Sequence, residues 1–362
     1  MCDIYEATAD SRRGVPYVGA GCIDVSEMGT EAGSALIAVI IPCYRVRATI
    51  LEVVRAALPH VNAVFCVDDH CPDGSGDVVA EAFASEPAVH VIRREKNGGV
   101  GAATVMGYQA AMEAGADILV KVDGDGQMDP GLIPKLVQPI LDGESDYMKG
   151  NRFFSVETVA HMPWTRVMGN AGLSFFSKLS TGYWDLFDPT NGFTAIQARV
   201  ARELPMEKLH PRYFFESDML FRLGVLRASV AELPDVAHYG EERSNLSQLH
   251  SLSTFPLLHL RNFAKRVAYN YFLRNFSIAS LNLVAGLGLL LFGAPFGAWR
   301  WATSVETGFA ATAGTVMVAG LPVILGIQFL LSFLSHDISM TPTRALHPRL
   351  PTPQPTHEQD AK

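Results

Sequence analysis

Two stretches near the C-terminus, Ser277–Phe296 (SIASLNLVAGLGLLLFGAPF) and Gly308–Leu334 (GFAATAGTVMVAGLPVILGIQFLLSFL), contain no charged residue. At ~1.5 Å of rise per residue each is about 30 Å long or more as a helix, enough to cross the core of a bilayer. The alternative is a buried helical hairpin of a soluble protein, and the flanking charges favour the membrane. Arg261, Lys265, Arg266 and Arg274 precede the first run, Arg344 and Arg349 follow the second, and the connection Gly297–Thr307 offers only Arg300. Excess basic residues mark the cytoplasmic side, so both termini and everything before the hairpin are expected in the cytoplasm. Trp299 and Trp301 in the connection suit a membrane–water interface.

The remainder of the chain has a different character. From Leu36, apolar runs (LIAVII, AVFCV, VHVIR, ADILVKV) alternate with helical patterns over about Thr49–Leu58, from Asp77, and over about Val100–Ala114. That alternation predicts an α/β fold with a mostly parallel sheet covered on both faces. Ligands of such sheets bind beyond the carboxyl ends of the strands, where this chain places its polar clusters. The expected organisation is a flexible N-terminal tail (1–33), the α/β domain (34–248), an amphipathic juxtamembrane helix (249–276), a two-helix transmembrane hairpin (277–335) and a cytoplasmic C-terminal tail (336–362). In the juxtamembrane segment, Leu260, Phe263, Ala264, Val267 and Tyr271 are expected on one helical face, with Arg261 and Lys265 on another.

Composition excludes some classes. A net charge of −8 gives no nucleic-acid footprint. Five cysteines, an odd number, in a reducing compartment argue against a disulfide framework. Asn97-Gly-Gly-Val-Gly101 follows the third strand and lacks the last glycine of a dinucleotide fingerprint, and no Walker lysine motif occurs.

The most unusual local sequence is Ile118–Pro130, ILVKVDGDGQMDP, in which an apolar strand runs into Asp123, Asp125 and Asp129. Like charges so close call for a cation among them. An EF-hand counted from Asp123 would need glycine at 128 and glutamate at 134, where the chain has Met128 and Pro134. The better fit is Mg²⁺ or Mn²⁺ held by Asp123, Asp125 and Gln127, alternating in an extended segment and completed by phosphate oxygens.

The motifs IIPCY (Ile40–Tyr44), VDDHCPDGSGD (Val67–Asp77), KNGGVGAA (Lys96–Ala103), VDGDGQMDP (Val122–Pro130), KGNRF (Lys149–Phe153), DPTNGFTAI (Asp188–Ile196) and FFESDML (Phe214–Leu220) occur in this order. Together they resemble family-2 glycosyltransferases of the GT-A fold, in particular the polyprenyl-phosphate and dolichol-phosphate sugar transferases. The resemblance spans roughly residues 36–248. It implies a nucleoside-diphosphate-sugar donor held by Pro42, Tyr44, Asp68, Asp69, Asn97, Gly98 and Asp123, with Asp123, Asp125 and Gln127 at the metal and diphosphate. Two positions depart from the family pattern: Arg45-Val46 follows the first-strand tyrosine, and His70-Cys71 follows the second-strand aspartates.

The implied reaction is inverting, metal-dependent transfer of a sugar to a polyprenyl phosphate at the cytoplasmic membrane face. A sugar hydroxyl on a lipid-linked or polysaccharide acceptor is the alternative, and a silent membrane scaffold is the third reading. A phosphate acceptor is already largely dianionic near neutral pH, so it asks for cations more than for a base. Arg152, Arg166 and Arg243 are the candidates to hold it. Asp123 and Asp125 are counted as catalytic with Glu216 and Asp218, which stand two apart on a helix, so that at most one faces the reacting atoms. Asp218 is the choice for a hydroxyl acceptor, with Glu216 at least structural. Homo-oligomer formation stays open.

Overall fold

The computed structural model describes residues 35–152, 164–234 and 248–351. The expected tail 1–33 and position Arg243 lie outside them. Four strands, β1 (Ile37–Cys43), β2 (Ala63–Asp68), β3 (Val89–Arg93) and β4 (Ile118–Lys121), alternate with α1 (Ile50–Ala57), α2 (Ser75–Ala82) and α3 (Val100–Glu113). After α4 (Ile133–Leu141) come β5 (Tyr147–Asn151), α5 (Trp164–Thr181), β6 (Thr194–Gln197), α6 (Ala198–Arg202), α7 (Phe215–Leu226) and β7 (Val230–Pro234). The sheet has seven strands in the order β3-β2-β1-β4-β6-β5-β7. Only β6 runs antiparallel to its neighbours, β4 and β5. This is the mostly parallel α/β sheet expected from the alternation.

Period-two alternation divides the strand residues between two cores. Ala38 and Ile40 of β1, with Phe65, Val67 and Leu119, face α3 and α7. Val39, Ile41 and Cys43, with Val64, Cys66 and Val120, face α1 and α4. Both faces are buried, as a parallel sheet requires, and each fully buried Val, Ile or Leu contributes about 1.5–3 kcal/mol. The order in which strands are added switches sides between β1 and β4, which are parallel and lie side by side at the centre. Their carboxyl ends open a crevice there, the usual ligand position in such sheets.

Beyond the sheet, α8 (Gln248–Val267) continues through a π-helical turn, Ala268–Arg274, into α9 (Ile278–Thr307) and α10 (Ala313–Ser339). The last two are long and apolar enough to cross a membrane, with only 22% and 11% of their most apolar windows buried within the chain. Residues 297–307, expected as the connection, are helical and extend α9, and the reversal begins at Gly308 (φ 70°). The pair packs closely where Gly286 faces Gly326: a Cβ added at either would lie 3.0 Å from the other's carbonyl oxygen. Small residues at crossings are the usual device for helices that pack in lipid.

The amphipathic reading of α8 needs correction. Its inward face carries His259, Asn262, Arg266 and Val267, all buried, together with Phe263. Leu260 (59% exposed) and Ala264 instead share the outward face with Arg261 and Lys265. Polar contacts make the inward face dock on the α/β domain: His259 Nδ1 lies 2.7 Å from Ser180 Oγ, and Arg266 donates to the Leu179 carbonyl.

The segment expected as a tail from 336 onward packs, over its described residues 336–351, against the rest of the chain. Asp337, at the last turns of α10, accepts from both terminal nitrogens of Arg266 (2.7 and 2.9 Å), from Tyr271 Oη (2.6 Å) and from Trp184 Nε1 (2.9 Å). Farther on, the backbone N–H groups of Leu346 and His347 and the His347 ring meet the fully buried carboxylate of Asp146. Leu350 packs against the α3/α7 core. Both ends of the hairpin are therefore fixed to the α/β domain.

Candidate active site

β4 ends in a lysine, and that lysine explains how the acidic turn beyond it is tolerated. Lys121 is fully buried; its Nζ stands 2.6 Å from Asp123 Oδ1, 3.3 Å from Glu216 Oε1 and 3.4 Å from the Gly192 carbonyl. The cation among the carboxylates is a side chain of the strand itself. Burial presses the ammonium toward deprotonation, but Asp123 and Glu216 outweigh it and hold its pKa above the ordinary lysine value. For Glu216 burial dominates: Lys121 pulls the carboxyl down, Asp123 pushes it up, and it stands above the usual range.

The expected extended segment is in fact a turn. Gly124 lies under Val46 and Ile50, and its carbonyl accepts from Thr49 Oγ1 at 2.6 Å. Gly126 takes a left-handed φ of 77°, so Asp125 and Gln127 do not project as alternate residues of a strand. Asp125 Oδ1 accepts the Gln127 N–H at 3.0 Å. Across the crevice, Gly192 of the DPTNGF loop presses on the same group: a Cβ there would stand 2.5 Å from Asp123 Oδ2 and 2.7 Å from Lys121 Nζ.

The donor-side residues gather at the carboxyl ends of β1 and β2. Pro42 lies in β1, and Tyr44, just past it, is 41% exposed. Both second-strand aspartates are engaged within the protein. Asp68 accepts the N–H groups of Cys71 (2.7 Å) and Gly76 (3.0 Å), fixing the turn into α2. Asp69 pairs with Arg94 and accepts the N–H groups of Gly98 (2.9 Å) and Gly99 (2.7 Å), while Asn97 donates to its carbonyl. These two carboxylates build the loops that line the crevice. His70, one of the departures from the family pattern, takes a left-handed φ of 54°.

On the other side, Arg152 makes a forked contact with Asp188, Nε to Oδ2 at 2.8 Å and Nη2 to Oδ1 at 3.0 Å, and reaches Thr190. Burial pushes the Asp188 carboxyl up, but Arg152 and Lys149 more than reverse this and hold it below its ordinary value. Lys149, fully buried, donates to the Asp188 carbonyl; burial keeps its pKa below the usual lysine value despite Asp188 and Glu232. Arg166 falls in the first turn of α5, whose side chains there lie outside the description.

Glu216 and Asp218 diverge as their spacing requires. Glu216 faces Lys121 and the acidic turn. Asp218 points elsewhere, accepting from Arg222, the His210 N–H (3.1 Å) and Asn262 (3.2 Å). Asp218 was the choice for a hydroxyl acceptor; the helical phase of α7 instead turns Glu216 toward Lys121 and the acidic turn. Lys121 and Gly192 were not singled out in the sequence, although a lysine inside an apolar strand was a legible signal for Lys121.

Among the described residues, no three His, Cys, Asp or Glu side chains come close enough to hold a metal ion. The turn nevertheless offers the carboxylates of Asp123 and Asp125 and the Gln127 amide, with the Asp123 side chain 32% exposed. That donor set fits a hard divalent ion bound by one or two carboxylates and completed by substrate phosphates.

The glycosyl transferase family 2 model matches residues 38–204. Undecaprenyl-phosphate mannosyltransferase of Micrococcus luteus is 32% identical over 181 residues, 50% of this chain and 73% of that protein. UDP-N-acetylglucosamine–dolichyl-phosphate N-acetylglucosaminyltransferase of Methanococcus voltae is 32% identical over 219 residues, 57% of this chain and 87% of its own length. Polyprenol monophosphomannose synthase of Mycolicibacterium smegmatis is 30% identical over 201 residues, 54% and 75% of the two chains. With its central crevice, acidic turn and relatives of this kind, the chain belongs to glycosyl transferase family 2 and is a glycosyltransferase.

Proposed function

We propose that this glycosyltransferase moves a sugar, with inversion, from a nucleoside-diphosphate sugar to a polyprenyl phosphate at the cytoplasmic face of a membrane. The supporting observation is the fixing of the apolar hairpin to the catalytic domain at both ends, through Asp337–Arg266 and through Asp146 with residues 346–347. A hairpin tied down at both ends keeps those ends on one side of a bilayer, the side of the catalytic domain. The crevice is thereby held at a set height above the bilayer surface, the only place where a long-chain polyprenyl phosphate presents its headgroup. The names of the relatives point to the same class of acceptor.

In this reading Pro42, Tyr44 and the loops built by Asp68, Asp69, Asn97 and Gly98 hold the nucleotide. Asp123, Asp125 and Gln127 would hold Mg²⁺ or Mn²⁺, which when bound offsets the charge developing on the departing diphosphate. Lys121 holds the Asp123 carboxylate in place. Gly192 lets the DPTNGF loop approach the reacting centre, and the Asp188-braced Arg152, with Arg166 and Arg243, holds the acceptor phosphate. A guanidinium already oriented by a carboxylate loses little freedom on binding a second anion. Because that acceptor is already ionised near neutral pH, Glu216 is assigned to positioning Lys121, not to proton abstraction.

The test uses the full chain in detergent with a panel of labelled nucleotide sugars and a polyprenyl phosphate, with and without chelator. A lipid-extractable product labile to mild acid and lost on chelation is expected. A product on a sugar hydroxyl, or none with any donor, overturns the reading. Asp125→Asn retains an oxygen to accept the Gln127 N–H, so it should keep the melting temperature while losing at least ~100-fold in transfer. Wild-type turnover in that variant would remove the metal assignment.

A further inference from the structure

A groove of about 710 Å³ runs along the flank of the molecule between α7 and α8, away from the acidic turn. Its volume falls within the range of built ligand sites, about 300–1,000 Å³. Five cations line it, Lys208, Arg222, Arg261, Lys265 and Arg274, against two carboxylates, Glu203 and Asp218. Asp218 is already balanced by Arg222 at 3.1 Å. Arg261 and Lys265 are exposed, and among the described residues neither forms an ion pair. Leu209, Phe214 and Phe221 form an apolar floor.

Beside the groove, the outward face of α8 and the following turn exposes Leu257 (68%), Leu260 (59%), Leu273 (79%) and Phe276 (62%), and the chain then enters α9. The whole combines an anion-attracting mouth, an apolar floor and a continuous apolar edge leading to the hairpin. We infer that this groove binds an anionic phospholipid of the surrounding membrane, with its headgroup between Lys208, Arg261 and Lys265 and its chains along the Leu257–Leu260 edge. The inference rests on the membrane reading above.

The occupant is a bulk lipid and not the acceptor because of where α7 stands. Glu216, facing Lys121 and Asp123, and Asp218, lining the groove, project from that helix in different directions. A phosphate held in the groove is thus separated by α7 from the atoms that would react. Charge complementarity selects an acidic headgroup over a zwitterionic one, since each basic side chain near an anionic surface adds about 1 kcal/mol of attraction.

The test is native mass spectrometry of the full chain titrated with phosphatidylglycerol, phosphatidylcholine or polyprenyl phosphate. Selective retention of phosphatidylglycerol is expected. In the Arg261→Gln/Lys265→Gln double variant its affinity should fall roughly 30-fold, with donor binding and melting temperature unchanged. Val225→Trp, which fills the groove without altering charge, should give a comparable loss. Equal retention of phosphatidylcholine, undiminished phosphatidylglycerol binding in both variants, or one-for-one displacement by polyprenyl phosphate would each overturn the assignment. Flotation with neutral vesicles distinguishes the two levels. A chain that floats yet shows no headgroup preference refutes the groove alone, whereas one that associates with no vesicle removes the membrane reading with it.

Discussion

Replacing Asp337 with asparagine should loosen the hairpin from the catalytic domain more than any other single-atom change. The Arg266 and Asp337 side chains are only 4% and 3% exposed, so the guanidinium has no water to turn to. Asparagine retains one acceptor oxygen, but it removes the charge that balances Arg266 and one of the two oxygens shared among Arg266, Tyr271 and Trp184. Breaking a buried pair from one side costs about 3–5 kcal/mol, because the remaining charge stays buried. At about 2 °C per kcal/mol for a domain of this size, the apparent melting temperature should fall by about 6–10 °C. The assay is thermal unfolding of the full chain in detergent, monitored in parallel by proteolysis at residues 341–350. Removing both charges in Asp337→Asn/Arg266→Met should recover part of the loss, and the double-mutant cycle gives the coupling. A melting temperature equal to wild type in Asp337→Asn, or a double variant no better than the single one, would refute the view that this pair holds the hairpin in place.

Three further outcomes are expected. Lys121→Met leaves Asp123 and Glu216 facing each other without a cation and should lower transfer at least ~100-fold while weakening stability by about 3 kcal/mol, read by kinetics and by denaturant titration. Gly192→Ala drives a methyl against Asp123 and Lys121; it should cost about 1–3 kcal/mol from overpacking and impair transfer beyond that, and wild-type kinetics would contradict the close approach. His259, buried against Phe214 and Ser180, has its pKa pushed down by burial to about 4, so the folded state favours the neutral ring. Its folded pKa lies below the unfolded value of about 6.5, so the unfolded chain binds the extra proton first. Stability should therefore be undiminished above about pH 6.5 and decline toward pH 4, by on the order of 3 kcal/mol in total. A His259→Gln variant should show a shallower decline over the same window.

The first half of the sheet was legible because its strands are written in apolar residues. LIAVII, AVFCV, VHVIR and ADILVKV became β1 to β4, and the helices at 50–57, 75–82 and 100–113 fall within a few residues of the periodic segments. The second half was not read, and the reason is physical. β5 (YMKGN) and β6 (TAIQ) are short and bury Lys149, Asn151, Thr194 and Gln197, so no apolar run announces them. Opposite Thr194 stand Lys121 on one side and Lys149 on the other, which makes the centre of this sheet polar where sequence patterns look for hydrophobic strands. The acidic turn was legible as a charge problem, but its solution depended on β6 and on the phase of α7. The face of α8 was misjudged because its inward side is polar: His259, Asn262 and Arg266 each have a partner inside the protein, so an apolar stripe does not mark it.

The contact of Asp146 with Leu346 and His347 joins positions 200 and 201 residues apart. During synthesis Asp146, just before β5, is made well before Leu346 and His347, and until they follow, its buried carboxylate has the Ser229 N–H (2.8 Å) but not these partners. Between the two events the ribosome delivers both long apolar helices. Full satisfaction of that carboxylate therefore waits on residues that follow both apolar helices, which ties the packing of the α/β domain to that of the hairpin.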